Sequence, residues 1–167
     1  MKTIFYALTF LLLPITLTAQ TPHNLDFEDE DSWLPRRLTQ DNFYAKTPEG
    51  KGQCVTLTGP FTEYGSGYVY QEVPVSLSAA KRYTVSAKIR TRGVSARGAQ
   101  VYVYGKVKGE MVGYRQSEFM TGDNDWTKVS FDLILDRAMD TLRLGCFLEG
   151  TGQAWFDDLT FTPYVAQ

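Results

Sequence analysis

Four residues on two segments of the sequence carry side chains suited to holding a sugar ring. Tyr102 and Tyr104 occupy alternate positions of one apolar segment, and Arg143 and Phe147 occupy alternate positions of another. Alternate residues of a strand point to one side of a sheet. If the two segments are neighbours, the four side chains form one platform, with Gly145 as an open floor. Aromatic faces contact the C–H face of a sugar and arginine donates to its hydroxyls, so the pattern predicts a sugar-binding platform.

The same aromatic residues are also consistent with two purely structural roles. The segment 111–119 could cover the rings, or the rings could be ordinary cross-strand pairs, because aromatic residues favour strands. Trp126 follows a turn of Gly, Asp and Asn and is out of phase with the apolar residues after it. We therefore interpret Trp126 as a structural residue that packs over an edge of the fold.

The segment 154–161 contains a second candidate site. Alternation with Leu159 and Phe161 places Asp157 on the inner face of a strand. A carboxylate in that position must be hydrogen-bonded, paired or coordinated to a cation. Calcium binds carboxylate and carbonyl oxygens, and Glu28 is the acid that we pair with Asp157 in a predicted metal site. A second interpretation, in which Asp157 caps a turn through backbone N–H groups, is equally consistent.

The sequence is poor in the parts that catalysis needs. His23 is the single histidine, and its place near the start of the predicted mature chain suggests a frayed position. Catalytic triads and histidine zinc sites both need a fixed imidazole. There is no nucleophile elbow and no glycine-rich phosphate loop. A glycosidase needs only two acids, but no pair stands out, so we predict a protein without an active site.

The elements that must position these residues are strands. Short runs of alternating apolar residues are separated by Gly, Pro, Asn or Asp, which predicts about ten strands. That number in one domain predicts an antiparallel sandwich of two sheets. The predicted core includes Val85, Ala87 and Ile89. The predicted strands are 24–28, 42–46, 53–58, 67–75, 82–91, 98–107, 115–119, 126–135, 140–149 and 153–162.

The first 19 residues have the pattern of a secretory signal peptide. Lys2 precedes an apolar run over 4–17 that ends in Thr18-Ala19-Gln20, and such a run is too short for a membrane span. We predict cleavage after Ala19, a single domain over 20–167, no membrane span, and a location outside the cell or in the periplasm or cell envelope.

The net charge bears on the class of binding partner, and the two cysteines bear on whether the protein contains a disulfide. The formal net charge is −2 with both signs interspersed, which gives no field for attracting nucleic acid. Cys54 and Cys146 could form one disulfide in an oxidising compartment. Their phases in the alternating pattern differ, so we favour two buried free thiols.

Five short segments, in this order and spacing, resemble the galactose-binding-like jelly rolls, including the carbohydrate-binding modules of secreted glycoside hydrolases. They are 24–28 (NLDFE), 71–75 (QEVPV), 83–90 (YTVSAKIR), 125–129 (DWTKV) and 154–159 (AWFDDL). The resemblance implies a jelly roll of eight to ten strands, with a structural calcium near the opening Phe-Glu and the closing Asp-Asp. Those positions are Glu28 and Asp157 here, with Asp158 as the less favoured alternative. Sugar-binding residues vary within the family, so none is transferred.

Together these features predict a non-catalytic module that recognises a glycan on a sheet face or at strand-end loops. The alternative is a structural or protein-interaction module of the cell envelope, since a similar domain precedes the catalytic domain of some C-terminal-processing peptidases. The expected partner is a glycan or a cell-envelope protein. The oligomeric state is not predicted.

Overall fold

The computed structural model describes residues 20–38, 40, 42–61, 65–78 and 81–165. The predicted signal peptide, 1–19, lies outside these residues. The described part of the chain contains no helix, and hence none that could cross a membrane. Its strands are β1 (Leu34–Arg36), β2 (Tyr44–Lys46), β3 (Gln53–Thr58), β4 (Ser66–Leu77), β5 (Arg82–Val107), β6 (Glu110–Gln116), β7 (Met120–Ile134), β8 (Met139–Glu149) and β9 (Gln153–Pro163).

All strand pairs are antiparallel, and β5 links two halves of one curled sheet. The order is β1-β4-β8-β5-β9-β3-β2, with β6 and β7 also paired to β5. The second part of β5, from Gly98, pairs with β8 and β6. The first part pairs with β9 up to Arg92, and β7 pairs with β5 from Arg82 as far as Ala99. We call β1, β4, β8, the second part of β5 and β6 the front half-sheet, and the remaining strands the back half-sheet.

The two half-sheets enclose a single apolar core. Val85 and Ile89 from the first part of β5 and Val101 from the second part are fully buried in the same cluster. Leu142, Leu144, Cys146 and Leu148 join that cluster, and all are at most 1% exposed. The predicted all-β sandwich and its core faces are therefore confirmed, because period-two alternation buries one side of each strand.

The predicted strand bounds need several corrections. Segments 82–91 and 98–107 are one strand, since pairing continues through 92–97 with register shifts rather than a turn. Nine strands are therefore described instead of about ten. The predicted strand 115–119 lies at 110–116, and the short β1 was missed.

The predicted strand 24–28 is instead a turn. Asn24 and Phe27 have positive φ angles of 47° and 57°. The Asn24 Nδ2 donates to the carbonyl oxygens of Asp29 and Asp31 at 2.5 and 3.0 Å. These local side-chain bonds compete successfully with a strand. Phe27 is nevertheless fully buried, so the apolar residue keeps its predicted environment without the predicted strand.

Candidate functional site

The outer surface of the front half-sheet is lined by aromatic rings in register. Tyr68 on β4 lies opposite Phe147 on β8, and Gly145 lies opposite Tyr102 on β5. Directly opposed residues on one face of a sheet have neighbouring side chains. Neighbouring ring centroids in this set are mostly 6.2–6.5 Å apart. We call this surface the aromatic face. Its rings are Tyr68, Tyr70, Tyr102, Tyr104, Tyr114, Phe119 and Phe147.

An open pocket of about 200 Å³ lies on the aromatic face. The four residues of the predicted platform all line it. Tyr68 and Tyr114 complete the lining and were missed from sequence. Tyr68 precedes the buried Val69 and therefore points to the outer face of β4. The same inward–outward alternation identified Tyr102 and Tyr104 on β5. Tyr114 lies on β6, inside the segment that was considered only as a covering loop.

Tyr102 forms the floor of this pocket. Its side chain is 6% exposed, and its ring lies 6.2 Å from the rings of both Tyr104 and Tyr114. A Cβ at position 145 would overlap the Tyr102 ring, so Gly145 is not the open floor that we predicted. Burial raises the pKa of Tyr102 far above its usual value, and the hydroxyl therefore stays protonated. Tyr114 thus covers Tyr102 in part, while Tyr104 and Phe147 stay partly exposed.

Arg143 is held flat at one end of the pocket by Glu72. Its Nε and Nη2 donate to Glu72 Oε2 at 2.7 and 2.5 Å, and Lys106 Nζ donates to the same oxygen at 2.7 Å. The guanidinium lies 4.1 Å from the Tyr70 ring centroid and 5.3 Å from that of Tyr104. Within the described residues Nη1 makes no hydrogen bond, so it is the nitrogen left to face a ligand. The aromatic face therefore ends in a rigid cationic rim.

Burial by itself would raise the pKa of Glu72, but the hydrogen bonds from Lys106 and Arg143 outweigh it and hold the pKa below its usual range. A carboxylate whose folded pKa is depressed stabilises the fold above its unfolded pKa, near 4.3, and loses that effect as the pH falls through the folded value. At pH 7 we expect Glu72→Gln to cost about 1 kcal/mol, as for a partly exposed ion pair.

Urea unfolding at pH 7 and pH 3 measures this difference in the free energy of unfolding. The wild type and Glu72→Gln should differ at pH 7 and differ less at pH 3, whereas Glu110→Gln, at an exposed carboxylate, should change little at either pH. An equal difference at both pH values would show that the charge of Glu72 does not hold the rim.

Of the two acids of the predicted metal site, Asp157 lies on β9, and Glu28 follows the N-terminal turn and contacts Gln53 of β3. Glu28 Oε1 accepts from the backbone N–H of Gln53 at 3.1 Å, and Gln53 Nε2 donates to the Glu28 carbonyl at 2.7 Å. Burial, then the charges of Asp158 and Glu28, raise the pKa of Asp157 to about 6. No group of three or more His, Cys, Asp or Glu among the described residues is arranged as a metal site. Lys88 partly offsets this negative charge, since it forms an ion pair with Asp158 at 2.6 Å and its charge lowers the pKa of Asp157.

The predicted inward orientation of Asp157 is wrong. The pairing of β5 with β9 runs from Ser86 opposite Thr160 to Lys88 opposite Asp157, so β9 has one extra residue there. Asp158 has a positive φ of 48°, as expected of a β-bulge. The bulge reverses the inward–outward alternation of β9, so Asp157 lies partly exposed on the outer face. Its Oδ1 accepts from the backbone N–H of Asp158 at 2.7 Å, which is the capping contact of the second interpretation.

His23 is fixed in place rather than frayed, and the two cysteines are free thiols. The backbone N–H and carbonyl of His23 both bond the side chain of the buried Gln71, at 3.1 and 2.9 Å. Its ring is exposed and its Nε2 lies 2.6 Å from Ser32 Oγ. Cys54 and Cys146 are buried and unbonded. Burial raises the pKa of the Cys54 thiol to about 11, so this thiol stays protonated.

Comparison with known proteins gave matches at the level of structure alone. No protein-family model and no curated sequence matches the chain. A solved structure described as a carbohydrate-binding module of family 4 is 18% identical, with a TM-score of 0.59, and the match covers 86% of this chain and all of that one. A family 61 module in complex with β-1,4-galactotriose is 15% identical, with a TM-score of 0.57 and coverages of 86% and 97%.

A larger protein also shares the fold. The enzymatically active domain of tailspike protein 4 of bacteriophage CBA120 is 8% identical, with a TM-score of 0.62 over 89% of this chain, which spans 22% of that domain. At sequence identities of 8–18%, these matches show a shared fold and nothing finer. The chain has the jelly-roll fold seen in carbohydrate-binding modules.

Proposed function

We propose that this protein is a non-catalytic glycan-binding module whose ligand lies on the aromatic face. The observation that carries the proposal is the pocket formed by Tyr68, Tyr102, Tyr104 and Phe147 with the fixed guanidinium of Arg143. Ring faces contact the C–H surface of a sugar while Arg143 and the tyrosine hydroxyls bond its rim. The fold shared with carbohydrate-binding modules supports the same proposal.

The ligand that fits this surface is an extended chain rather than a single sugar. The rings run across β6, β5, β8 and β4 from Tyr114 through Tyr102 and Phe147 to Tyr68. The rings continue beyond the pocket to Tyr70 and Phe119. Arg143 and Lys106 share the carboxylate of Glu72 on the same surface. We infer that consecutive sugar units stack across the strands. Export by the predicted signal peptide would place the module where such polysaccharides occur.

A glycan array tests the proposed function. The protein lacking residues 1–19 is labelled on amines and applied to plant, algal and bacterial polysaccharides and their oligosaccharides, and each positive is then titrated by calorimetry. We expect micromolar to millimolar dissociation constants for at least one class of linear glycan. An array without any binding, repeated with native polysaccharides in affinity electrophoresis, would contradict the proposal.

We also propose a structural calcium ion at Glu28 and Asp157. The ion would neutralise the charge that Glu28 and Asp158 crowd around Asp157, and its only role would be to stabilise the N-terminal turn against β9. A ligand bound only by the folded state stabilises it by about 2.7 kcal/mol at a hundredfold excess over its dissociation constant. No step of glycan binding is assigned to the ion.

Thermal unfolding with calcium and with a chelator tests this site. We expect calcium to raise the wild-type melting temperature by several degrees and to leave Asp157→Asn unchanged. In chelator, Asp157→Asn should be more stable than the wild type because it removes one of the crowded charges. Asp136→Asn, at an exposed acid paired with Arg137, is the control. Equal wild-type melting temperatures in both conditions would contradict the calcium site.

A further inference from the structure

A second pocket lies on the opposite side of the molecule, away from the aromatic face, and shares only Asp157 with the proposed calcium site. Trp126 on β7 and Trp155 on β9 are partly buried at the outer face of the back half-sheet. The outer faces of the two half-sheets point away from each other across the shared core. Trp33 is 4% exposed and lies inside the core. Both accessible tryptophans are thus remote from the aromatic face, whose rings are tyrosine and phenylalanine.

The orientation of Trp126 is fixed by its neighbours. Its Nε1 donates to Glu49 Oε2 at 3.0 Å, and the other oxygen of Glu49 forms an ion pair with Arg90. The guanidinium of Arg90 lies over the Trp155 ring, 5.9 Å from its centroid. These bonds hold the pKa of Glu49 below its usual range, so its carboxylate stays charged. An indole fixed in this way is pre-organised for a ligand and loses little freedom on binding.

Trp126 is out of phase with the core-packed Val129 and Phe131, which places it on the outer face, and a register shift lies beside it. Between Ile89 opposite Thr127 and Thr91 opposite Asn124, β7 has one residue more than β5. Such bulges are common next to binding sites. The sequence pattern suggested only that Trp126 was out of phase, which we interpreted as edge packing.

The pocket has the composition of a sugar site. Its volume is about 250 Å³, and Trp126, Thr47, Glu49, Lys51, Lys88 and Asp157 line it. The lining offers one aromatic surface, hydrogen-bond donors from two lysines, and acceptors from two carboxylates and a hydroxyl. Lys88 pairs with Asp158 at 2.6 Å, and Glu49 pairs with Arg90. Charges of both signs are therefore nearly balanced, which favours a neutral polar ligand.

We propose that this second pocket binds one neutral sugar unit, and that the module can therefore hold two glycan chains at once, one on each outer face. The inference takes its ligand class from the proposed function of the aromatic face. A module with binding sites on opposite faces can cross-link polysaccharide chains, with the gain in avidity that bivalent attachment provides.

Tryptophan fluorescence separates the two sites because, within the described part of the chain, Trp126 lines the second pocket and no tryptophan lies on the aromatic face. The probes are β-1,4-galactotriose, xylohexaose and cellohexaose. With at least one of them we expect a saturable change of emission that is lost in Trp126→Ala and retained in Trp155→Phe and Tyr104→Ala. Lys51→Ala keeps both tryptophans and should weaken the response at least threefold, so the test does not depend on one variant.

Two readouts distinguish the possible failures. If no probe changes the emission, or if the change survives Trp126→Ala, the second site is overturned, whatever calorimetry gives for the aromatic face. In the opposite case, Trp126→Ala removes the emission change, but calorimetry detects no binding heat that Tyr104→Ala reduces. This result supports the second site and overturns glycan binding at the aromatic face. Light scattering of mixtures with a soluble polysaccharide should increase for the wild type and not for Trp126→Ala or Tyr104→Ala.

Discussion

Tyr104→Ala is expected to weaken glycan binding at least tenfold while leaving the melting temperature within a few degrees of the wild type. Tyr104 is partly exposed, and its ring lies 6.2 Å from that of Tyr102 at an interplanar angle of 14°. The guanidinium of Arg143 lies 5.3 Å from the same ring. Aromatic residues at the centre of a binding site commonly contribute about 2 kcal/mol or more. A change of about 1.4 kcal/mol is tenfold in affinity.

Calorimetric titration with the glycan found by array measures this effect, and Tyr164→Ala is the matched control. Tyr164 is a 43% exposed tyrosine that packs on Arg82, away from the aromatic face. Its removal takes away the same chemical group without touching the pocket. Equal affinities for Tyr104→Ala and the wild type would mean that the glycan lies elsewhere.

Gly145→Ala is expected to lower the free energy of unfolding by about 1–3 kcal/mol, the usual cost of overpacking, and to reduce glycan affinity in parallel. The added Cβ would overlap the Tyr102 ring. That ring cannot move aside freely, because Tyr68, Tyr104 and Tyr114 surround it at centroid distances of 6.2–6.4 Å. The displaced ring would raise the floor of the pocket.

A double-mutant cycle identifies the cause of this effect. Tyr102→Leu removes the ring that the new methyl group would strike, so Gly145→Ala should cost far less in the Tyr102→Leu background than in the wild type. Contacting residues show such coupling, whereas independent sites add. Chemical denaturation of the four proteins gives the coupling energy. Strictly additive costs would contradict the position assigned to Tyr102.

Much of the fold follows from period-two alternation, and the exceptions have local causes. Val85, Ala87 and Ile89 are buried as predicted because one-residue slips would expose the whole set. The turn at Asn24 is stabilised by its own amide, a contact that no hydrophobic pattern records. The join of two predicted strands into β5 escaped prediction because Gly93 and Gly98 suggest a turn, although the chain there bends without leaving the sheet.

The candidate site was predictable where strands are regular. Tyr102, Tyr104, Arg143 and Phe147 meet in one pocket because β5 and β8 are neighbours in register. Tyr114 was not predictable, since its position depends on the β5–β6 hairpin. The orientation of Asp157 depends on a single-residue bulge, and a bulge changes the face of a side chain without changing the alternation on either side of it.

Carbon–proton correlation spectra of the aromatic rings, recorded during titration with the bound glycan, test the central claim most directly. We expect the ring signals of Tyr68, Tyr104 and Phe147 to shift in proportion to ligand occupancy. The signals of Tyr83 and Phe161, which stack on each other at 4.8 Å in the back half-sheet, should stay in place. Shifts confined to the second pair, or to Trp126 alone, would contradict a glycan site on the aromatic face.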